Sequence, residues 1–208
     1  MLLVDESLII ANGANRTCYQ HPSNDDKCIK IPKSGHHKAQ ILECEYLTQL
    51  ISAGLPLTHI SQYHGVVDTN RGKGFVYELI RDYDNTISYS LSDYLNKLPA
   101  ENSKLEVILN SLTQLKEYLK TNRIIVRNLR PYNILYKRIN AHSGTAIIID
   151  NLGHHNALPH LSDYIGYLAR KDLRKKWSKF ESLLNDQINS EISWSAPDVN
   201  LLKRELLN

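Results

Sequence analysis

Arg127-Asn128-Leu129-Arg130-Pro131-Tyr132-Asn133-Ile134-Leu135-Tyr136 and, after a polar turn, Ala146-Ile147-Ile148-Ile149-Asp150-Asn151-Leu152-Gly153 form the stretch on which the reading of this chain turns. Two apolar runs of strand composition flank a turn-rich segment containing Ser143-Gly144, the signal of a β-hairpin. Asn133 enters the first strand and Asp150 leaves the second. Pairing of the strands therefore brings an amide oxygen and a carboxylate within reach of one hard cation. Asp-x-x-Gly at a strand end sets the acid at an exposed corner, where Gly153 leaves the chain free to turn.

The 208 residues suffice for one domain or two small lobes. A net charge of +3 is too small to call for a nucleic-acid partner, because such binders concentrate more basic charge. Cys18, Cys28 and Cys44 are odd in number and irregularly spaced, so no disulfide framework is expected and a reducing cytoplasm suits them. No apolar run approaches the ~20 residues of a membrane-spanning helix. Met1-Leu2-Leu3-Val4-Asp5-Glu6 places acids where a signal peptide needs basic residues. The expectation is a soluble cytoplasmic protein without a transmembrane segment.

Strand signals dominate the first part of the chain. Leu8–Ala11 leads into the turn Asn12-Gly13-Ala14-Asn15, and Thr17–Tyr19 returns before a second turn from His21 to Asp26. Lys27-Cys28-Ile29-Lys30-Ile31 alternates, with Cys28 and Lys30 on one face and Ile29 and Ile31 on the other. The ordinary reading of a lysine in so short a strand is a solvated edge residue. A helical period runs from Lys38 to Ile51, with Ile41, Leu42, Leu47, Leu50 and Ile51 on one stripe and Glu43 at its margin. His64-Gly65 and Arg71–Gly74 read as turns around Val66-Val67, and Phe75–Ile80 as a further strand.

Past Asp82-Tyr83-Asp84-Asn85 the chain turns helical. Ser90-Leu91-Ser92-Asp93 has the form of an N-terminal cap. Leu105, Ile108, Leu109, Leu112, Leu115 and Leu119 recur as a core stripe. Leu161, Tyr164, Ile165 and Leu168 suggest one later helix, and Trp177, Phe180, Leu184 and Ile188 another.

In this order the segments resemble a protein-kinase-like fold, and within it the PhoP regulatory network protein YrbL family of small bacterial proteins. The resemblance runs from about Ile10 through the C-terminal helices. It rests on Lys27–Ile31, Tyr63-His64-Gly65, Phe75-Val76-Tyr77, Leu129-Arg130-Pro131-x-Asn133-Ile134-Leu135 and Asp150-Asn151-Leu152-Gly153. Their order and separation are what is specific, since no one piece is. The resemblance implies an α+β, two-lobed protein-kinase-like fold with a shortened C-terminal lobe. Residues 1–80 would form a β-rich lobe with one helix. Residues 81–208 would form a mainly helical lobe carrying the catalytic loop and the metal-site hairpin.

The resemblance also implies roles residue by residue. Ala11–Arg16 occupies the glycine-rich phosphate loop, of which only Gly13 survives, so cradling of phosphates by backbone N–H groups is weakened. Arg16 supplies charge there or is a solvated surface arginine. Lys30 matches the lysine that holds the α- and β-phosphates of ATP, and Glu43 its helix partner, with Glu45 the alternative. Glu78 to Ile80 fall where the lobes join and backbone groups meet an adenine edge, an ordinary strand end being the competing reading. Asn133 and Asp150 match the two ligands of Mg²⁺. The bland competitor is an asparagine and an aspartate capping a loop and a helix.

The sharpest departure is Asn128, which stands where active protein kinases carry the aspartate that accepts or orients the substrate hydroxyl proton. A neutral amide is a poor base, and losing a general base typically removes a factor of ~10²–10⁴. Val126 replaces the usual histidine of that motif and Arg130 the usual lysine. No Ala-Pro-Glu signature follows Gly153, so the platform for peptide substrates is absent or reduced.

Other signals weigh less. His36-His37 and His154-His155-Asn156 have no ligand companions at metal-site spacing. Asn15-Arg16-Thr17 fits a glycosylation acceptor, which means nothing without secretion. Arg170–Phe180 is a basic helix with an aromatic stripe, read either as an anionic-surface contact or as a solvated face with Trp177 and Phe180 packed inward. The segment from Ser190, with Pro197, is expected to be loosely ordered. Three functions follow: a nucleotide-binding regulatory protein with a degenerate phosphotransferase apparatus, an active atypical small-molecule or protein kinase, and an interaction module for a protein partner that no longer binds nucleotide.

Overall fold

The computed structural model describes residues 1–97, 102–154 and 162–191. The architecture is α+β, with antiparallel sheets and four α-helices among the described residues. The chain divides into two units, one built on Met1–Ile80 and one on Arg81–Leu152 with the last helix.

The first unit is a five-stranded antiparallel sheet in the order β1-β2-β3-β5-β4, with one helix. Its strands are β1 (Ile9–Asn12), β2 (Arg16–Gln20), β3 (Lys27–Pro32), β4 (Tyr63–Thr69) and β5 (Gly72–Glu78), and α1 spans His37–Ser52. The β1–β2 hairpin closes where the Gly13 amide donates to the Arg16 carbonyl, 3.0 Å. Alternation along β3 sends Ile29 and Ile31 into a core with Val4, Tyr19 and Val76. Cys28 and Lys30 take the opposite face. β3 lies between β2 and β5, so Lys30 is 6% exposed in a central strand, not solvated on an edge.

Two expected turns lie inside strands. His64-Gly65 is a bulge within β4, with Gly65 at φ 112°, and the β4–β5 reversal is made at Asn70-Arg71. Gly74 sits within β5 because the Ile29 side chain occupies the space a Cβ would need. The helix buries Leu47 and Leu50 as expected but is rotated toward Glu43. Gln40, Glu43, Cys44, Leu47 and Leu50 are buried, whereas Ile41 and Ile51 are exposed. Spacing of three and four residues fits both stripes; the sheet selects the one containing Glu43.

The second unit is helical around a hairpin. It holds α2 (Leu91–Lys97), α3 (Asn102–Thr121), β6 (Ile134–Asn140), β7 (Ser143–Ile148) and α4 (Ser162–Glu191). Ser90 caps α2: its Oγ accepts the Asp93 amide at 3.1 Å and donates to the Asp93 carboxylate at 2.6 Å. The α3 leucine stripe is buried as its period requires, and Ser111 on that helix accepts the Ala146 amide of β7 at 2.6 Å. Asp82 anchors the start of the unit, taking the Arg138 amide at 2.9 Å, its guanidinium at 2.5 Å and the Ser88 hydroxyl at 2.5 Å.

The hairpin reverses at Ala141-His142, and Ser143-Gly144 belongs to β7. Gly144 is there because the Tyr136 ring packs against it: a Cβ would stand 2.5 Å from Cζ. The two expected late helices are one, α4, 30 residues long. Leu173, Trp177, Phe180, Leu184 and Ile188 form its buried stripe, and Lys171, Arg174, Lys175 and Lys179 are exposed. Leu161, His155-Asn156 and the segment around Pro197 lie outside the described residues. Among the described residues no helix is long and apolar enough to cross a membrane.

Candidate functional site

In the first unit a buried polar cluster forms on the sheet face opposite the Ile29 core. Lys30 pairs with Phe75 across the ladder, which makes Tyr77 its diagonal neighbour, and its Nζ lies 4.0 Å from the Tyr77 ring centroid. The Tyr77 hydroxyl accepts from Gln40 Nε2 at 2.7 Å, and Cys44 Sγ lies 3.4 Å from it. Gln40 Oε1 in turn accepts from Arg16 at 2.5 Å, and Arg16 approaches the Glu43 carboxylate at 3.9 Å. Glu43 is fully buried, while Glu45 is exposed. Arg16 is thus a partner of α1 rather than a solvated surface arginine.

This cluster sets its own electrostatics. Burial, then the negative charge of Glu43, holds the Tyr77 phenol well above its ordinary range, so it stays a neutral donor and acceptor. Burial likewise pushes the Cys44 thiol up. A buried carboxylate costs several kcal/mol unless paired, which gives the Arg16 guanidinium its reason to lie inward.

Gly13 lies at the exposed tip of the β1–β2 hairpin, its carbonyl bound by Lys33 Nζ at 2.6 Å. A Cβ there would meet the Arg16 carbonyl at 3.5 Å, an ordinary contact, so the backbone does not require glycine. Glu78 has both backbone groups engaged: its amide donates to Gln62 at 2.8 Å and its carbonyl accepts the Ser61 hydroxyl at 3.1 Å. The Ile80 side chain is buried.

In the second unit Pro131–Asn133 forms a single 3-10 turn, with proline at its start where a missing N–H costs nothing. The Asn133 amide closes this turn on the Arg130 carbonyl at 2.9 Å, and Asn133 is 8% exposed. The Ile149 amide donates to the Asn133 carbonyl at 3.0 Å, extending the β6–β7 pairing and setting Asp150 one residue beyond it. Asp150 Oδ1 accepts the Asn151 amide at 2.8 Å, and Asn151 takes a positive φ of 66°. The Arg127 amide donates to the Asn151 carbonyl at 2.6 Å, and Val126 bridges Leu152, so the loop bearing Asn128 is tied to the strand end bearing Asp150. Asn128 and Arg130 are half-buried, and Arg130 Nε is buried without a hydrogen-bond partner among the described residues.

The family model for PhoP regulatory network protein YrbL matches residues 1–184. The chain belongs to the YrbL family. The YrbL protein of Escherichia coli K12 is 31% identical over 183 residues, covering 86% of this chain and 86% of the relative. The YrbL protein of Shigella flexneri matches to the same extent.

Two groupings of the expected residues therefore stand in this YrbL chain. Lys30 and Glu43 belong to one buried cluster, and Asn128, Arg130, Asn133 and Asp150 lie on one tied loop-and-hairpin assembly. Gly13 and Glu78 take part in neither. Tyr77, which joins Lys30 to Gln40, belongs to the run Phe75-Val76-Tyr77 on which the resemblance rests but had no role assigned, and Gln40, which joins Tyr77 to Arg16, carried no motif. The only sequence signal of Gln40 was its i, i+3, i+4 relation to Glu43 and Cys44 on a helix.

Proposed function

We propose that this YrbL chain is a kinase-like, ATP- and Mg²⁺-binding regulatory protein of the PhoP network, with a degenerate phosphotransferase apparatus. The observation that carries the reading is Lys30, a cation buried in the central strand of its sheet beside an aromatic ring. Burying an ammonium is costly, and a lysine retained there is suited to meeting an anion. In this reading Lys30 holds phosphate oxygens and Glu43 orients the cluster from α1.

Asn133 and Asp150 would hold Mg²⁺. Both offer hard oxygens, from adjacent positions across an extended hairpin, and Mg²⁺ sites typically take one or two protein groups with water and phosphate completing the shell. When bound, the ion would neutralise phosphate charge. The orphaned Arg130 Nε marks a second group suited to an anion. Asn128 can orient a hydroxyl but does not remove its proton at neutral pH, which favours binding over turnover.

The test is a thermal shift with ATP and Mg²⁺ on the wild type, Lys30→Ala and Asp150→Ala, each measured against its own ligand-free midpoint. Stabilisation of the wild type alone is expected; no stabilisation with or without metal overturns the reading. Phosphate transfer from labelled ATP is expected to be near background and to rise in Asn128→Asp.

A further inference from the structure

Helix α4 turns one face inward and a very different one to water. Leu173, Trp177, Phe180, Leu184 and Ile188 are buried, whereas Lys171, Arg174, Lys175, Ser178 and Lys179 are exposed. At spacings of three and four residues the exposed set makes one continuous stripe, about 12 Å long at the rise of an α-helix. It carries four cations and no acid. Asp172 is the one carboxylate between Lys171 and Phe180, and it accepts the Lys176 ammonium at 2.5 Å. That ammonium also donates to the Val126 carbonyl at 2.5 Å, so Lys176 is engaged and stands apart from the stripe. Among the described residues none of Lys171, Arg174, Lys175 and Lys179 has an ion-pair partner.

Solvation alone does not call for such a face. The long helix α3 meets water with charges of both signs, Lys120 donating to Glu117 at 3.1 Å. On α4, Lys171 with Lys175 and Lys175 with Lys179 are like charges four residues apart, an arrangement that weakens a helix. The helix macrodipole does not account for them either, since it favours cations in the last turn and the last turn of α4 has none. The stripe opposes the stability of its own helix, and a bound polyanion relieves that repulsion.

We propose that this face of α4 binds the phosphate backbone of a nucleic-acid duplex. The net charge of +3 averages over the whole chain. What holds a polyanion is local concentration, and here four cations stand along about 12 Å. The chemistry of the stripe selects among polyanions. A helix that lies on a membrane needs an apolar face for the lipid, and that of α4 is taken up by the core, with Trp177 1% and Phe180 0% exposed. A single strand is held by stacking on exposed aromatics, and Trp177 and Phe180 are the only aromatics from Lys171 to Ile188. What remains is a row of point charges with the Ser178 hydroxyl among them, suited to phosphate oxygens and indifferent to base sequence.

Fluorescence anisotropy of a labelled DNA duplex of about 20 base pairs, titrated with the full chain at stepped salt, tests the proposal. Binding is expected at roughly 50 mM salt, its association constant falling with salt at a log–log slope of about −3 to −4, as for four neutralised phosphates. Lys175→Ala is expected to reduce that slope by about one. The triple variant Lys171→Ala, Lys175→Ala, Lys179→Ala is expected to leave a slope of about −1 and to lose at least about tenfold in affinity. Lys120→Ala, which removes a paired cation from α3, is expected to change neither. All four positions are exposed, so the circular dichroism of the variants should match that of the wild type. No binding with about 100 µM protein at that salt overturns the proposal. So does a slope that the α4 variants leave unchanged, because the duplex then binds elsewhere. Three further results also overturn it: capture by phosphatidylglycerol vesicles without binding to the duplex, displacement by polyglutamate as readily as by unlabelled duplex, and tighter binding of a single strand of the same length.

Discussion

The Lys30 ammonium rests 4.0 Å from the centroid of the Tyr77 ring, and the hydroxyl of that ring is held by Gln40 at 2.7 Å. The phenol thus links a buried cation on β3 to the polar face of α1. Tyr77→Phe keeps the ring for Lys30 but leaves the Gln40 Nε2, in a side chain 1% exposed, with only the weak Cys44 sulfur acceptor at 3.5 Å. It is expected to lower stability by about 1–3 kcal/mol in urea unfolding. Tyr77→Leu should cost more, by roughly the 0.5–2 kcal/mol of a cation–π contact. In a Lys30→Met background that extra cost should disappear.

Gly74 and Gly13 should respond oppositely to alanine. At Gly74 the new methyl runs into Ile29 of the sheet core, and overpacking of this kind costs about 1–3 kcal/mol. At Gly13 the methyl meets only an ordinary contact, so the thermal midpoint should hardly move. A large loss at Gly13 with intact nucleotide-free stability elsewhere in the hairpin would show that this glycine serves something other than the turn.

Acid sensitivity should appear at the Arg138 staple. Hydrogen bonds from Thr86, then from Arg138, hold the Asp84 carboxyl at about 2, below its ordinary 3.8. A depressed folded-state pKa contributes stability that is complete above the unfolded value and is lost as pH falls through the folded one. The unfolding midpoint of the wild type should therefore drop between about pH 4 and pH 2. Asp84→Asn should flatten that part of the profile, measured by thermal melts at stepped pH.

Glu181 should behave in the reverse sense. Burial raises its carboxyl above the ordinary 4.5 despite Lys116 at 3.7 Å. Its contribution is then complete below the unfolded value and is lost as pH rises through the folded one. Glu181→Gln, which fills the same volume without a charge, should raise the melting temperature at neutral pH and give no gain near pH 4. A drop at neutral pH would mean that the Lys116 pair outweighs the burial.

The elements that were legible in the residues are those whose signals are local. The Ser90 cap, the α3 leucine stripe and the alternation of Lys27–Ile31 each depend on neighbours within two helical turns or one strand, and each formed as its pattern required. Gly74 and Gly144 misled because glycine signals a turn and a close approach alike, and Gly65 because a bulge inside a strand calls for the same positive φ as a turn. Which of the two it marks depends on what packs against it: Ile29 against Gly74 and Tyr136 against Gly144 are far apart in sequence or lie across a ladder. The join of two expected helices into α4 was hidden for a related reason, since nothing between Leu168 and Trp177 stops a helix.

The sequence by itself determined most of the strands and helices, though not where several of them begin and end, and which oxygen, nitrogen and sulfur groups the chain has to offer, because backbone preference and side-chain period act over a few residues. Only the tertiary structure decided that Lys30 is interior, that Glu43 rather than Glu45 is the buried acid, and that Cys18 faces Lys30. Those outcomes follow from strand order and from the rotation of α1 against its sheet. Both are settled by the free energy of burying whole faces at once, a sum over distant residues that no short window of sequence contains.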